Sequence, residues 1–149
     1  MNNLLRSTLL GCLFFVLAFI VFCPRFYLWD PLGSPNLPES NRAFYSLVQL
    51  QYSPFVKIPD YGNQVLEWRL LFPVIGHTLN LHWTVFFGLA HLSTLLLLIT
   101  VAHLVYTRTS SWAAAATGTA LAATSAAFFV STGFLGYFDA ALILTILIA

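Results

Sequence analysis

The sequence predicts an all-α polytopic transmembrane helical protein with about four spans. Hydrophobic residues make up 59% of the 149 positions, charged residues make up only 7%, and the apolar residues fall into long runs. An ordinary soluble domain contains roughly 25% charged residues, so this composition excludes a soluble globule. The formal net charge of +1 gives no basic footprint for nucleic acid. We therefore expect the lipid bilayer as the partner.

The first predicted span covers about residues 4–22, with Arg6 near its amino-terminal side. About 20 apolar residues cross a bilayer. The alternative is a signal peptide, but its apolar core is about 7 to 15 residues long and ends at small residues. Here Cys23-Pro24-Arg25 follows instead. We expect a retained anchor in a bacterial inner membrane, with a cytoplasmic amino terminus because positive charge stays inside.

The polar part of the chain is the segment 24–66, which this orientation places outside. Eight of the eleven charged residues lie between positions 24 and 69. Prolines open this loop, and the spacing of apolar residues from Glu39 to Tyr52 predicts a short amphipathic helix on the membrane surface. A second short helix is predicted over residues 65–80, either interfacial or as a half-helix.

Three later spans are predicted over residues 82–106, 113–130 and from 139 to 149. The Ala, Gly, Ser and Thr content of the segment 113–130 suits close helix packing in lipid. The last run stops after 11 residues, whereas about 20 are needed to cross. We therefore expect residues 1–149 to be one transmembrane region and a fragment of a longer protein.

The orientation of the later spans depends on residues 65–80. If they stay on the surface, Arg108 is cytoplasmic and Asp139 lies at the outer face beside the loop 24–66. If they cross, both assignments invert. The positive-inside tendency of Arg108 favours the first interpretation.

Asp139 is the most prominent candidate for a functional residue. It is the single charged residue among the 41 positions from Thr109 to Ala149. A carboxylate at membrane depth is costly and indicates function by default, while the alternative is a residue that caps a helix. Asp30 and Glu39 are loop acids that either meet Asp139 at the outer face or are simply solvated. Two carboxylates in one pocket would suit a general base and a divalent metal or phosphate.

Arg69 follows Glu67 and Trp68 at the start of an apolar helix. A guanidinium there either holds a lipid phosphate or serves as an interfacial anchor. The four histidines are spaced too irregularly to place a pair at i, i+4, so no metal site is predicted from them; they are His77, His82, His91 and His103. The chain also lacks a phosphate loop and a nucleophile elbow, which excludes most soluble enzyme classes.

Four short motifs follow one another along the chain: Glu39-Ser-Asn-Arg-Ala-Phe-Tyr45, Trp68-Arg-Leu-Leu-Phe-Pro-Val-Ile-Gly76, Leu104-Val-Tyr-Thr-Arg108 and Gly136-Tyr-Phe-Asp139-Ala-Ala. With the order of spans, they resemble the amino-terminal third of the GT-C type membrane glycosyltransferases, most of all the protein mannosyltransferase and lipid A aminoarabinose transferase branch. The resemblance covers nearly the whole chain and is one of layout and short motifs.

The resemblance implies transfer of a sugar from a polyprenyl phosphate carrier at the outer membrane face. It also implies that Asp30 or Glu39 deprotonates the acceptor and that Arg69 touches the carrier phosphate. The family places its first loop acid close to the first span and before a tyrosine. Here Pro31 follows Asp30, whereas Glu39 has Tyr45 six residues on, so both acids depart from the family pattern and the base is one or the other. Because the family has many further spans, the fragment is expected to be inactive alone.

Two other functions fit the sequence. The first is a small non-enzymatic helical membrane subunit or transporter fragment, in which Asp139 serves packing or ion passage. The second is a rhomboid-like intramembrane protease, because Trp68-Arg69 followed by His77 and His82 resembles the pattern of that family. No Gly-x-Ser-Gly nucleophile motif occurs in the chain, which disfavours the protease.

Overall fold

The computed structural model describes residues 2–22, 53–55, 71–125, 128 and 139–148. Their helices are α1 (Asn3–Phe22), α2 (Leu71–Thr78), α3 (Trp83–Thr109), α4 (Trp112–Ala123) and α5 (Asp139–Ile148). Among these residues there is no strand, so the predicted all-α class is confirmed.

The chain divides into two compact units. Unit 1 contains Met1–Pro24, Ala90–Gly133 and Tyr137–Ala149, and unit 2 contains Arg25–Leu89 and Phe134–Gly136. Unit 1 therefore holds α1, α4, α5 and the carboxy-terminal part of α3, whereas unit 2 holds α2 and the first turns of α3.

Two of the described helices are long and apolar enough to cross a membrane. They are α1, with a mean hydropathy of 2.3 over its apolar stretch, and α3, with 2.2. At about 1.5 Å per residue, the 27 residues of α3 extend about 40 Å, more than the roughly 30 Å of a hydrocarbon core. These two helices coincide with the predicted spans at 4–22 and 82–106.

Helix α4 ends at Ala123, before the end of the predicted span 113–130. The amide of Thr124 donates to the carbonyl of Ala120 at 3.0 Å, and its hydroxyl donates to the carbonyls of Ala120 and Leu121 at 3.0 and 3.2 Å. These bonds use carbonyl groups that a helix end leaves without partners. Apolar periodicity does not reveal such an end, because the apolar run continues through it to Val130. The four-span layout stays a prediction.

A turn of two residues joins α3 to α4. Ser110 has a φ of 53°, and its amide donates to the carbonyl of Tyr106 at 2.8 Å, which is the left-handed ending common at helix carboxyl termini. Ser111 then caps α4, because its hydroxyl accepts a hydrogen bond from the amide of Ala114 at 3.3 Å. A connection this short makes α3 and α4 antiparallel neighbours.

Another capped turn connects α2 to α3. Asn80 has a φ of 49° and donates its amide to His77, while the amide of Leu81 donates to Gly76 at 2.9 Å. This pair of bonds is a Schellman ending, in which Asn tolerates the left-handed conformation. His82 precedes α3, and its Nδ1 lies 2.8 Å from the hydroxyl oxygen of Thr84. The remainder of the predicted helix 65–80, residues 65–70, lies outside the described part of the chain.

Helices α1, α4 and α5 of unit 1 bury small side chains and expose large apolar ones. The buried positions of α1, α4 and α5 include Ser7, Gly11, Ala18, Ala115, Thr119, Ala123, Ala140 and Ala141. In contrast, Ile20, Leu121 and Ile146 are each 68% exposed. A soluble fold buries such residues preferentially, whereas helices in lipid approach one another through small residues. Only 17% of the apolar stretch of α1 is buried, so α1 is not the core helix of a soluble protein.

Gly11 allows α1 to touch the backbone of α3. A β-carbon added at Gly11 would lie 2.5 Å from Cγ1 and 2.9 Å from both Cα and N of Ile99. Further along α1, the ring of Phe19 meets the ring of His91 edge-on, with centroids 5.8 Å apart. Because residue numbers rise along α1 as they fall along α3, the two helices are antiparallel.

We expect Gly11→Ala to lower the free energy of unfolding by about 1–3 kcal/mol, the usual range for overpacking. The added methyl group would meet backbone atoms, which cannot rotate away. Gly88→Ala is the matched control, since a β-carbon there meets nothing within 4 Å. Far-UV circular dichroism during denaturation in detergent micelles measures both. Equal stability of the two variants would contradict the close approach of α1 and α3.

Candidate functional site

The charged side chains of the described residues lie at different levels of unit 1. They are Arg6, Arg108 and Asp139. The guanidinium carbon of Arg6 lies 5.7 Å from the ring centroid of Trp112, so Arg6 lies beside the turn between α3 and α4. Arg108 is in the last turn of α3, next to the same turn.

Asp139 lies toward the other end of unit 1. Its neighbour Ala140 belongs to a buried apolar cluster that also contains Ala18 and Ala123. The 12 residues of α4, from Trp112 to Ala123, rise about 18 Å. Ala18 and Ala123, at the far end of this cluster, are therefore about that far from the Arg6 contact, along the helix axes.

Helices α1 and α4 run parallel, so the carboxyl end of α1 lies at the level of the carboxyl end of α4. Arg6 meets Trp112 at one end, while Val21 and Thr124 line one groove at the other. Helix α1 therefore ends at the end of unit 1 toward which Asp139 lies. Whether the loop 24–66 lies beside Asp139 stays a prediction, since most of that loop is outside the described residues.

Asp139 occupies the first turn of α5 and is half-buried. A carboxylate in this position is stabilised by the helix dipole, typically by about 0.3–1 kcal/mol. The next two residues, Ala140 and Ala141, are buried and anchor the start of the helix against its neighbours. The position of Asp139 thus fits the role of a helix cap. Because the side chain is only half-buried, the carboxylate is also accessible enough for a functional role.

An apolar groove lies between α1 and the end of α4. It has a volume of about 170 Å³ and is lined by Phe14, Leu17, Ala18, Val21, Ala120, Ala123 and Thr124. Alanines on the α4 side leave space that larger side chains would fill. The hydroxyl of Thr124 is the polar side-chain group of the lining and already bonds two carbonyls of α4. The groove therefore suits an apolar chain.

The other predicted site residues are Asp30, Glu39 and Arg69, and they lie outside the described residues. Whether either acid meets Asp139, and whether Arg69 faces a phosphate, stay predictions.

The histidines have separate local environments. His77 lies in the last turn of α2, and His82 interacts with Thr84 at the start of α3. His91 contacts the ring of Phe19. His103 buries its Nδ1, which has no hydrogen-bond partner among the described residues. Within those same residues, no three metal-ligating side chains come together.

Sequence analysis missed the contact between Arg6 and Trp112. A signal for it exists, because basic residues and tryptophans both concentrate where helices leave the membrane. Arg6 lies near the start of α1, and Trp112 begins α4 directly after the turn. If both ends are on one side of a bilayer, the two residues are at one level.

No family model, curated protein or solved structure matches this chain. The resemblance to the GT-C transferases therefore depends on the motifs and on the order of the spans.

We expect Asp139→Asn to lower the free energy of unfolding by less than about 1 kcal/mol. The substitution removes the interaction of a charge with a helix dipole and keeps an acceptor oxygen. Ala140→Leu is the matched comparison, because Ala140 is 1% exposed and overpacking costs about 1–3 kcal/mol. Denaturation in micelles gives both values. A loss for Asp139→Asn as large as that for Ala140→Leu would show that the carboxylate is a core element.

Proposed function

We propose that the chain is part of a GT-C type membrane glycosyltransferase that takes a sugar from a polyprenyl phosphate carrier at the outer membrane face. The observation that carries this proposal is the position of Asp139. The carboxylate lies toward the same end of unit 1 as the apolar groove and the exit of α1 into the loop 24–66. The two arginines among the described residues, Arg6 and Arg108, lie toward the opposite end.

The proposed orientation follows from charge and from helix direction. Positive residues stay on the cytoplasmic side, which places the end with Arg6 and Arg108 inside and the end with Asp139 outside. Because α1 and α3 are antiparallel, the chain between them returns to the side on which α1 ends. We infer that residues 65–80 make no net crossing. In the four-span layout we propose, residues 113–130 make the third crossing and α5 begins the fourth.

The chemistry of this transfer requires a base and a place for the carrier. An acceptor hydroxyl gives its proton to a carboxylate, its oxygen bonds to the anomeric carbon, and the carrier phosphate leaves with the electron pair of the broken bond. We assign the proton to Asp30 or Glu39, with Asp139 nearby, and the carrier phosphate to Arg69. A divalent metal between carboxylates would stabilise the leaving phosphate. The apolar groove accommodates part of the prenyl chain.

A non-enzymatic membrane subunit is the second candidate. Its supporting observation is that Asp139 occupies the first turn of α5, beside two buried alanines. That role requires no substrate. A subunit of this kind would show no preference for polyprenyl phosphate over polyprenol at the groove.

The orientation predicts the accessibility of single cysteines in a background lacking Cys12 and Cys23. Asn2→Cys and Thr107→Cys should react with a membrane-impermeant maleimide from the cytoplasmic side, and Thr84→Cys from the outer side. Asn2, Thr84 and Thr107 are exposed. Labelling of intact cells and of inverted vesicles measures each side. Labelling of Asn2→Cys and Thr107→Cys from opposite sides would contradict the antiparallel arrangement.

Carrier binding can be tested with a photoactivatable polyprenyl phosphate in membranes that contain the chain. We expect cross-links to peptides of α1 and α4, with competition by polyprenyl phosphate but not by polyprenol. Val21→Trp should reduce labelling severalfold because Val21 lines the groove and is 72% exposed. Ile20→Trp is the matched control, since Ile20 is 68% exposed and lies outside the lining.

Equal competition by polyprenol would favour the non-enzymatic subunit, because it would show that no group recognises the phosphate. Equal labelling of the Val21→Trp and Ile20→Trp variants would remove the groove from the proposal.

A further inference from the structure

Three helix ends meet at one end of unit 1, where they form a surface of cations and aromatic rings. We name it the arginine–tryptophan end and define it by Arg6, Tyr106, Arg108 and Trp112. Arg6 lies over the ring of Trp112, with its guanidinium carbon 5.7 Å from the centroid. On the same tryptophan, Tyr106 is stacked with a centroid distance of 4.0 Å and an interplanar angle of 21°. The contacts order the ring and Arg6 together.

Both arginines at this end are exposed and lack an acidic partner in the described parts of the chain. The one acid in those parts, Asp139, lies toward the other end. A guanidinium over an aromatic ring gains a cation–π interaction through its face. Its N–H donors lie in the plane of the group and remain available at its edge, where they match the oxygens of a phosphate. The arginine–tryptophan end is therefore suited to bind an anion.

The side chains around Arg6 indicate which class of anion this surface would bind. Leu5 and Leu9, within one helical turn on α1, are 49% and 54% exposed. A soluble acidic partner would leave these leucines in water. A phospholipid supplies a phosphate for the cation and acyl chains for the leucines, and tryptophan and tyrosine prefer the level of lipid head groups.

We propose that the arginine–tryptophan end binds the head groups of anionic phospholipids in the cytoplasmic leaflet. Arg6, positioned by Trp112, holds a lipid phosphate, and Arg108 supplies a second positive charge to the same lipid layer. The site is distinct from the proposed carrier groove, which lies toward the end with Asp139, and it does not depend on glycosyl transfer. Each arginine should raise the preference for an anionic over a neutral lipid about fivefold.

The test uses the full chain in nanodiscs made of phosphatidylcholine or of an equal mixture with phosphatidylglycerol. Native mass spectrometry counts the lipids of each type that remain bound. The unaltered chain should retain phosphatidylglycerol preferentially. Arg6→Gln and Arg108→Gln should each reduce that preference about fivefold, and the double variant should lose roughly 25-fold. Thr107→Gln is the matched control, because Thr107 is exposed beside Arg108 and the change introduces the same glutamine without removing a charge, so the preference should be unchanged.

Two further measurements are needed. The first distinguishes the effect of the planar guanidinium from that of positive charge alone, and the second distinguishes binding of a lipid from binding of free phosphate. Arg6→Lys keeps the charge without the planar group, so its preference should fall between those of the unaltered chain and Arg6→Gln. Inorganic phosphate added to phosphatidylcholine nanodiscs should not raise the melting temperature, whereas phosphatidylglycerol should. Far-UV circular dichroism confirms that each variant is helical before the lipids are counted.

The proposal is overturned if the folded double variant retains phosphatidylglycerol as selectively as the unaltered chain. It is also overturned if inorganic phosphate stabilises the chain as much as phosphatidylglycerol does, because the site would then recognise a free anion.

Discussion

The arrangement of unit 1 depends on the close approach of helices through small residues. Gly11 brings the backbone of α1 against Ile99 of α3, and alanines on α4 and α5 keep the other contacts short. In lipid, helices gain little from burying large apolar side chains, because the lipid tails are equally apolar. The gain comes from packing between surfaces that fit. Helix direction, the level of Asp139 and the position of the groove all depend on this packing.

Much of the fold could be predicted from the sequence, because length and hydropathy determine which segments are able to cross a bilayer. The stretches that became α1 and α3 were predicted on this basis, as was the beginning of a helix at Asp139. The end of α4 at Ala123 was not predicted. The apolar run continues past it to Val130, so hydropathy carries no signal for the end, and a hydroxyl-to-carbonyl bond like that of Thr124 also occurs inside helices, at Thr94 and Thr119.

The candidate site was less predictable than the fold. A single aspartate in a long apolar run marks Asp139 without indicating its neighbours. Its level beside the end of α1 depends on contacts between residues that are distant in sequence, such as Ala18 and Ala140 in one cluster. The pairing of Arg6 with Trp112 is of the same kind, since 105 residues separate them in the chain. Periodicity describes one helix at a time and does not report which helices become neighbours.

The early end of α4 has a consequence for water. In the proposed orientation, the helix rises about 18 Å from the cytoplasmic side of a hydrocarbon core roughly 30 Å thick. The turn at Thr124 and Ser125 then lies about 12 Å below the outer surface. Irregular backbone at such depth is tolerated where it is covered by protein or lines a hydrated cavity. Thr124 donates its hydroxyl to two carbonyls of the preceding turn, so in that orientation the carbonyls of this turn that Thr124 does not bind require water or covering protein.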